Sequence, residues 1–99
     1  MANFIIGVEI KALPKDHEAK FKWCYALHFR YGEVIDAEMT NNFCDSYVMN
    51  EKESMLFINM MDKQMGLKNT HGLLTYVIKN VETDETLTYK EFKGLYENF

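Results

Sequence analysis

Residues 19–31 read Ala19-Lys20-Phe21-Lys22-Trp23-Cys24-Tyr25-Ala26-Leu27-His28-Phe29-Arg30-Tyr31, and the way this stretch winds decides the fold. Ala19, Phe21, Trp23, Tyr25, Leu27, Phe29 and Tyr31 fall on odd numbers. Lys20, Lys22, Cys24, Ala26, His28 and Arg30 fall on even ones. Successive side chains of a strand point to opposite faces, so the pattern gives one heavily aromatic face and one more polar face. Wound as a helix, the same residues put aromatics on every side and leave no polar face. The period of two therefore predicts a long strand with its odd residues in the core.

Working outward, the flanks fit a meander. Phe4, Ile6, Val8, Ile10 and Ala12 alternate with Asn3, Gly7, Glu9 and Lys11, which predicts a first strand with one buried face. Leu13-Pro14-Lys15-Asp16-His17 breaks that run. Chemical matching sets Ile10 by Phe21, Val8 by Trp23 and Glu9 by Lys22. A three-residue loop, Tyr31-Gly32-Glu33, sets Phe29 by Ile35, Leu27 by Ala37, Tyr25 by Met39 and His28 by Asp36. After Asn41-Asn42 and an undecided stretch 43–49, Asn50 suits a helix N-cap, with Glu51 and Glu53 in the first turn. That helix carries Met55, Leu56, Phe57, Ile58, Met60, Met61 and Met65, with a narrow polar stripe of Lys52, Asn59, Asp62 and Lys63, and Gly66 is expected to stop it. Leu67–Gly72 reads as a loop and Leu73–Val81 as a strand. Thr83-Asp84-Glu85 turns the chain so that 86–88 can pair back. Thr88-Tyr89-Lys90-Glu91 is a capping box. It opens a last helix with Phe92, Leu95, Tyr96 and Phe99 on one side. The expected fold is α+β in a single domain, 1–99. An antiparallel sheet, made of an N-terminal three-stranded meander plus a C-terminal hairpin, is covered on one face by two helices.

A different winding of 15–31 gives a different fold. Pro14 could open a helix, with Asp16 and Glu18 in its first turn and Gly32 just past its end. The order would then be that of a ferredoxin-like βαββαβ domain. Under that reading, Leu13-Pro14-Lys15-Asp16 and Tyr31-Gly32-Glu33-Val34-Ile35-Asp36 resemble the first helix and second strand of an RNA recognition motif, over about a third of the chain. The resemblance implies a small RNA-binding module whose central-strand aromatics stack on bases. In this chain those strands offer Phe4 and Tyr47-Val48-Met49, without the basic and glycine residues of that motif.

Composition narrows the function. The chain has 99 residues, 47% of them hydrophobic and 14% aromatic, which excludes a disordered chain. Its length fits one domain able to fold without disulfide or metal. No apolar run approaches membrane-spanning length. Phe4-Ile5-Ile6-Gly7-Val8 is too short for the core of a signal peptide and lacks a basic flank. The two cysteines, Cys24 and Cys44, belong to no paired motif, so reduced thiols and a cytoplasmic location are expected. Net charge is −4. Residues 32–62 hold Glu33, Asp36, Glu38, Asp45, Glu51, Glu53 and Asp62 against Lys52 alone. Such a segment opposes nucleic-acid affinity, which needs clustered Lys and Arg, and suits a basic protein partner. The plainer reading is a solvated acidic surface.

No chemistry-bearing constellation is complete. Cys24 and His28 are four apart without a second ligand pair, so no metal is expected. Cys24 or Cys44 with His28 or His71 could form a dyad only through folding, and no oxyanion-hole motif accompanies them. Asp36 and Glu38 project to one strand face, where such a pair could bind a cation or split its pKa values; on an exposed strand it is ordinarily solvated charge. No glycine-rich loop precedes a helix, and no cofactor is expected. The four methionines between 55 and 65 make either core or an adaptable binding surface. The sequence is therefore read as a non-catalytic, acidic protein-binding module. Glu33, Asp36, Glu38, Glu51, Glu53, Met55 and Met61 are its candidate contact residues, and a basic protein or a second copy of the chain is its partner. A short acidic chain rich in aromatics and asparagine also suits a phage-type inhibitor or regulator of a host protein.

Overall fold

Residues 21–30 are a strand, and the helical winding with its βαββαβ order is not adopted. The computed structural model describes residues 2–68 and 72–96, with the side chains of 65–68 excluded. Its elements are β1 (Asn3–Ile10), β2 (Phe21–Arg30), β3 (Glu33–Thr40), a single 3-10 turn (Phe43–Asp45), β4 (Met49–Asn50), α1 (Glu51–Lys68), β5 (Leu74–Asn80), β6 (Thr86–Leu87) and α2 (Tyr89–Leu95). The strands form one antiparallel sheet in the order β3-β2-β1-β5-β6, and β4 pairs with the start of β1. This is the α+β architecture expected, with the meander, the C-terminal hairpin and two helices.

The face of β2 that meets the helices is not the aromatic one. β1 pairs with β2 as Gly7↔Trp23, Val8↔Lys22 and Glu9↔Phe21, one residue away from the expected register. A one-residue slip exchanges the two faces of a strand. Cys24 is consequently in the core beside Phe4, Ile6 and Val8, whereas Phe21 and Trp23 lie on the opposite, open face. The physical reason is Gly7. A Cβ there would stand 2.7 Å from Trp23 Cε3, so the indole occupies the space that glycine leaves empty. The aromatics then shelter one another. Phe21 stacks on Trp23 at 6.1 Å between centroids, and Phe43 of the 3-10 turn meets Trp23 edge-on at 4.8 Å. Lys20, at the start of the strand, is buried. Its ammonium donates to Leu13 O (2.8 Å) and Ile10 O (3.3 Å) and pairs with Glu9 Oε2 at 3.2 Å.

The helices cover the other face. Phe57, Ile58 and Met60 of α1 and Phe92 of α2 join Phe4, Ile6, Met49 and Ile78 in one core cluster. Phe92 meets Phe4 edge-on at 5.5 Å. α1 begins in a reciprocal cap: Asn50 Oδ1 accepts from the Glu53 N–H (2.8 Å) and Glu53 Oε1 from the Asn50 N–H (3.0 Å). It does not stop at Gly66 but continues to Lys68, since one interior glycine costs a helix only about 1 kcal/mol. α2 opens with the expected Thr88–Glu91 box. Its Leu95 is exposed rather than packed, whereas Phe92 and Tyr96 lie against the core. Asp62 joins α1 to the C-terminal elements by accepting from the Tyr76 (3.1 Å) and Tyr89 (2.8 Å) hydroxyls and pairing with Lys93 at 3.3 Å. The side chain of Met65, and His71 and Phe99, lie outside the described residues.

Candidate functional site

The β2–β3 hairpin is the part of the sheet that reaches beyond its neighbours. β2 leaves β1 after Trp23, and the chain at 47–50 takes the vacated place: Tyr47 N–H donates to Cys24 O at 2.9 Å and β4 pairs with Asn3 and Phe4. The hairpin turn has two residues, not three. Arg30 pairs with Glu33, and Tyr31 (φ 52°) and Gly32 (φ 78°) are both left-handed, as in a type I′ turn. Two bulges follow. Ile35 is the extra residue of β3 between Phe29↔Val34 and His28↔Asp36, and Tyr25 is the extra residue of β2 between Ala26↔Glu38 and Cys24↔Met39. Between the bulges Leu27↔Ala37 and His28↔Asp36 stand in the expected register. Outside them Phe29 faces Val34 rather than Ile35, and Tyr25 faces no partner where Met39 was expected.

This geometry sorts the candidate residues. Glu33, Asp36 and Glu38 come together on β3 and are all exposed. Glu38 accepts from the Tyr25 hydroxyl (3.3 Å) and bonds His28 Nε2 (3.0 Å). The imidazole thus reaches Glu38 diagonally, instead of Asp36 directly across. Glu38's charge, followed by partial desolvation and the hydrogen bond, raises the Tyr25 phenol pKa. Asp36 Oδ1 accepts from the N–H of Ala37 at 2.8 Å. Glu51 and Glu53 are placed elsewhere, at the start of α1. Glu51 accepts from Ala2 N–H (3.0 Å), and Glu53 is held by Asn50 and the Tyr47 hydroxyl. Met55 and Met61 are half-buried against the core, so the methionine-rich helix is largely a packing element.

Other side chains extend the site. Phe29, Tyr31 and Ile35 stand exposed on the same hairpin; Tyr31 is 91% exposed, with Arg30 over its ring at 5.4 Å. The one signal for them in the sequence is Tyr31-Gly32, because a type I′ turn favours Asn, Asp or Gly at that first position. Between β3 and α1 lies a groove of about 560 Å³ lined by Val34, Ile35, Leu56, Asn59, Met60 and Lys63, among others. Cys24, His28 and Asp36 do not form a constellation, since Cys24 faces the helices and the other two face solvent. Burial pushes the Cys24 thiol up to about 11, against a smaller opposing effect of a backbone hydrogen bond at Ala26. Cys44 is free and exposed. Among the described residues no group of acids, histidines and cysteines is arranged to hold a metal ion, and no helix is long and apolar enough to cross a membrane. No family model, curated protein or solved structure matches the chain.

Proposed function

We propose that this chain is a small acidic, non-catalytic binding protein that presents its β2–β3 hairpin to a basic protein partner. Inhibition or regulation of a host protein by a phage-type chain is the setting its composition suits. The carrying observation is the exposure of Phe29, Tyr31 and Ile35 on an arm whose carboxylates, Glu33, Asp36 and Glu38, are also exposed. Interfaces take much of their binding energy from a few desolvated aromatic anchors, and charged rims steer encounter and select partners. The hairpin supplies both on one element. The expected compartment is the cytoplasm, where exposed Cys44 stays reduced.

The test is to isolate a partner with the wild-type chain from lysate of the source or its host. Its association is then measured with wild type and with the Asp36→Lys, Glu38→Lys double variant at low and moderate salt. Steering predicts slower association of wild type as salt rises, and a lower on-rate for the variant at low salt. Folding of the variant should be nearly unchanged, because exposed ion pairs contribute only about 0–1 kcal/mol. Unchanged kinetics in the folded variant would remove the acidic hairpin as the binding surface.

A further inference from the structure

We infer that the partner contributes an extended basic segment, which adds as a strand to the free edge of β3 and sends alternate apolar side chains into the groove between β3 and α1. The inference rests on the binding reading above and specifies its chemistry.

β3 is the terminal strand of the sheet. It is eight residues long, and its outer edge has no strand against it among the described residues. An edge of that length is a template for another strand. The two faces of β3 dictate what fits. Asp36 and Glu38 project to the open face, while Val34, Ala37 and Met39 project towards α1. An added strand alternates in the same sense, so its open-face residues lie beside the two carboxylates and its other residues lie over the helix side. Opposite charges across such a pair are favourable and like charges are not.

This rule also disposes of a second copy. A pairing of β3 with another β3 that is in phase and overlaps along 36–38 sets Asp36 or Glu38 against Asp36 or Glu38, and the registers that avoid this join only the Thr40 ends of the strands. In the free protein the edge is further guarded by Asp36, whose carboxylate takes up the Ala37 N–H. A lysine or arginine beside Asp36 competes for that carboxylate and releases the amide to a new strand.

The groove makes the second demand. It lies on the helix side of the same strand, with Val34, Ile35, Leu56 and Met60 offering apolar surface and Glu33, Asn59, Asp62, Lys63 and Gln64 at its polar margin. Inward side chains of an added strand would enter it. Carboxylates on one face and an apolar groove under the other specify a single pattern, basic and apolar residues in strict alternation. Strand addition of this kind draws affinity from the main chain and specificity from alternate side chains.

The probe is a capped hexapeptide alternating lysine and valine, titrated at low salt into the isotope-labelled chain and followed by amide chemical shifts. Saturable binding is expected, with perturbed amides at Ala37, Met39, Leu56 and Met60. A block isomer of the same composition should bind at least tenfold more weakly, as should the parent peptide to the Asp36→Lys, Glu38→Lys variant. Two further peptides carry N-methyl groups on alternate amides, in opposite phases. One phase blocks the edge that faces β3 and should not bind, whereas the other should bind like the parent. Absence of saturable binding by the parent peptide overturns the inference. So does equal binding of the block isomer or of both methylated phases. A dimer of the chain whose formation perturbs the Ala37 and Met39 amides would assign the edge to a second copy and also overturn it. If these peptides fail while a captured partner still associates more slowly with the charge-reversed variant, the hairpin reading stands and strand addition alone falls.

Discussion

Gly7 carries no Cβ, and the Trp23 indole fills the space where one would stand. A methyl group there would also sit 2.4 Å from the Lys22 carbonyl oxygen, which is backbone and cannot swing aside. Gly7→Ala is therefore expected to cost about 2–3 kcal/mol, read as a lowered denaturation midpoint. The same residue shows why the register of β1 on β2 was not legible. Setting Val8 beside Trp23 pairs apolar with apolar, and no property of the side chains in the sequence penalises it. What rejects it is the fit of a ring onto a missing atom, which exists only once the backbones meet. Lys20 teaches the same lesson. Its ammonium is buried among carbonyls of Ile10 and Leu13, acceptors that the chain creates only by folding back on itself. Local chemistry was readable by contrast: Asn50 with Glu53, and Thr88 with Glu91, need only the four residues that spell them.

At the scale of the element, the hairpin separates stability from binding. Tyr31 holds φ 52° at the first turn position, a conformation that costs a residue with a bulky side chain more than it costs asparagine. Its ring is nearly fully exposed and, among the described residues, gains the Arg30 contact, on the order of 0.5 kcal/mol for an exposed site. Tyr31→Asn should therefore leave thermal stability equal or raise it by about 0.5 kcal/mol. If Tyr31 anchors the partner, the same change should weaken binding at least tenfold. A calorimetric scan and a binding titration on one sample check both outcomes, and a fall in stability would show that the ring holds the hairpin together. The existence of this element and its central pairs were legible, because Leu27 with Ala37 and His28 with Asp36 match in chemistry. Its ends were not. Tyr25 and Ile35 are apolar in character, and alternation absorbs such residues into the nearest phase instead of marking them as bulges.

Across the whole molecule, buried protons tie stability to pH. The Cys24 thiol, ordinarily near 9.0, is pushed up to about 11 by burial. The Tyr89 phenol is raised to about 12, chiefly by desolvation and then by its hydrogen bond to Asp62. Tyr76, stacked on Tyr89 beside the same carboxylate, is raised further. The unfolded chain releases these protons at their ordinary values while the folded chain retains them. Above about pH 9 the unfolded state therefore binds fewer protons, and stability falls as pH rises through the folded values. The Cys24 contribution alone is on the order of 2 kcal/mol, complete below pH 9 and lost by about 11. Midpoints measured from pH 8 to 11 should decline, and Cys24→Ala should flatten the part between pH 9 and 10. An equally steep decline in that variant would place the effect elsewhere. None of this coupling could be read from the sequence, since Asp62, Tyr76 and Tyr89 come from three separate elements.

The two bulges also bear on how these strands tolerate loss of a residue. In a regular strand such as β5, deleting Val77 would turn either Tyr76 or Ile78 out of the core, because every position beyond the gap changes face. In β2 and β3 one residue is already supernumerary. Removing Tyr25 leaves Cys24, Ala26 and Leu27 in strict alternation, and removing Ile35 does the same for Val34, Asp36 and Ala37. A shortened β2 or β3 keeps its inward side chains inward, and the hairpin merely loses some of the twist that a bulge adds. Deletion of Tyr25 or Ile35 should accordingly leave a folded protein, whereas deletion of Val77 should not. Chain length is thus adjustable by one residue in each strand of the arm and fixed in the sheet that carries it.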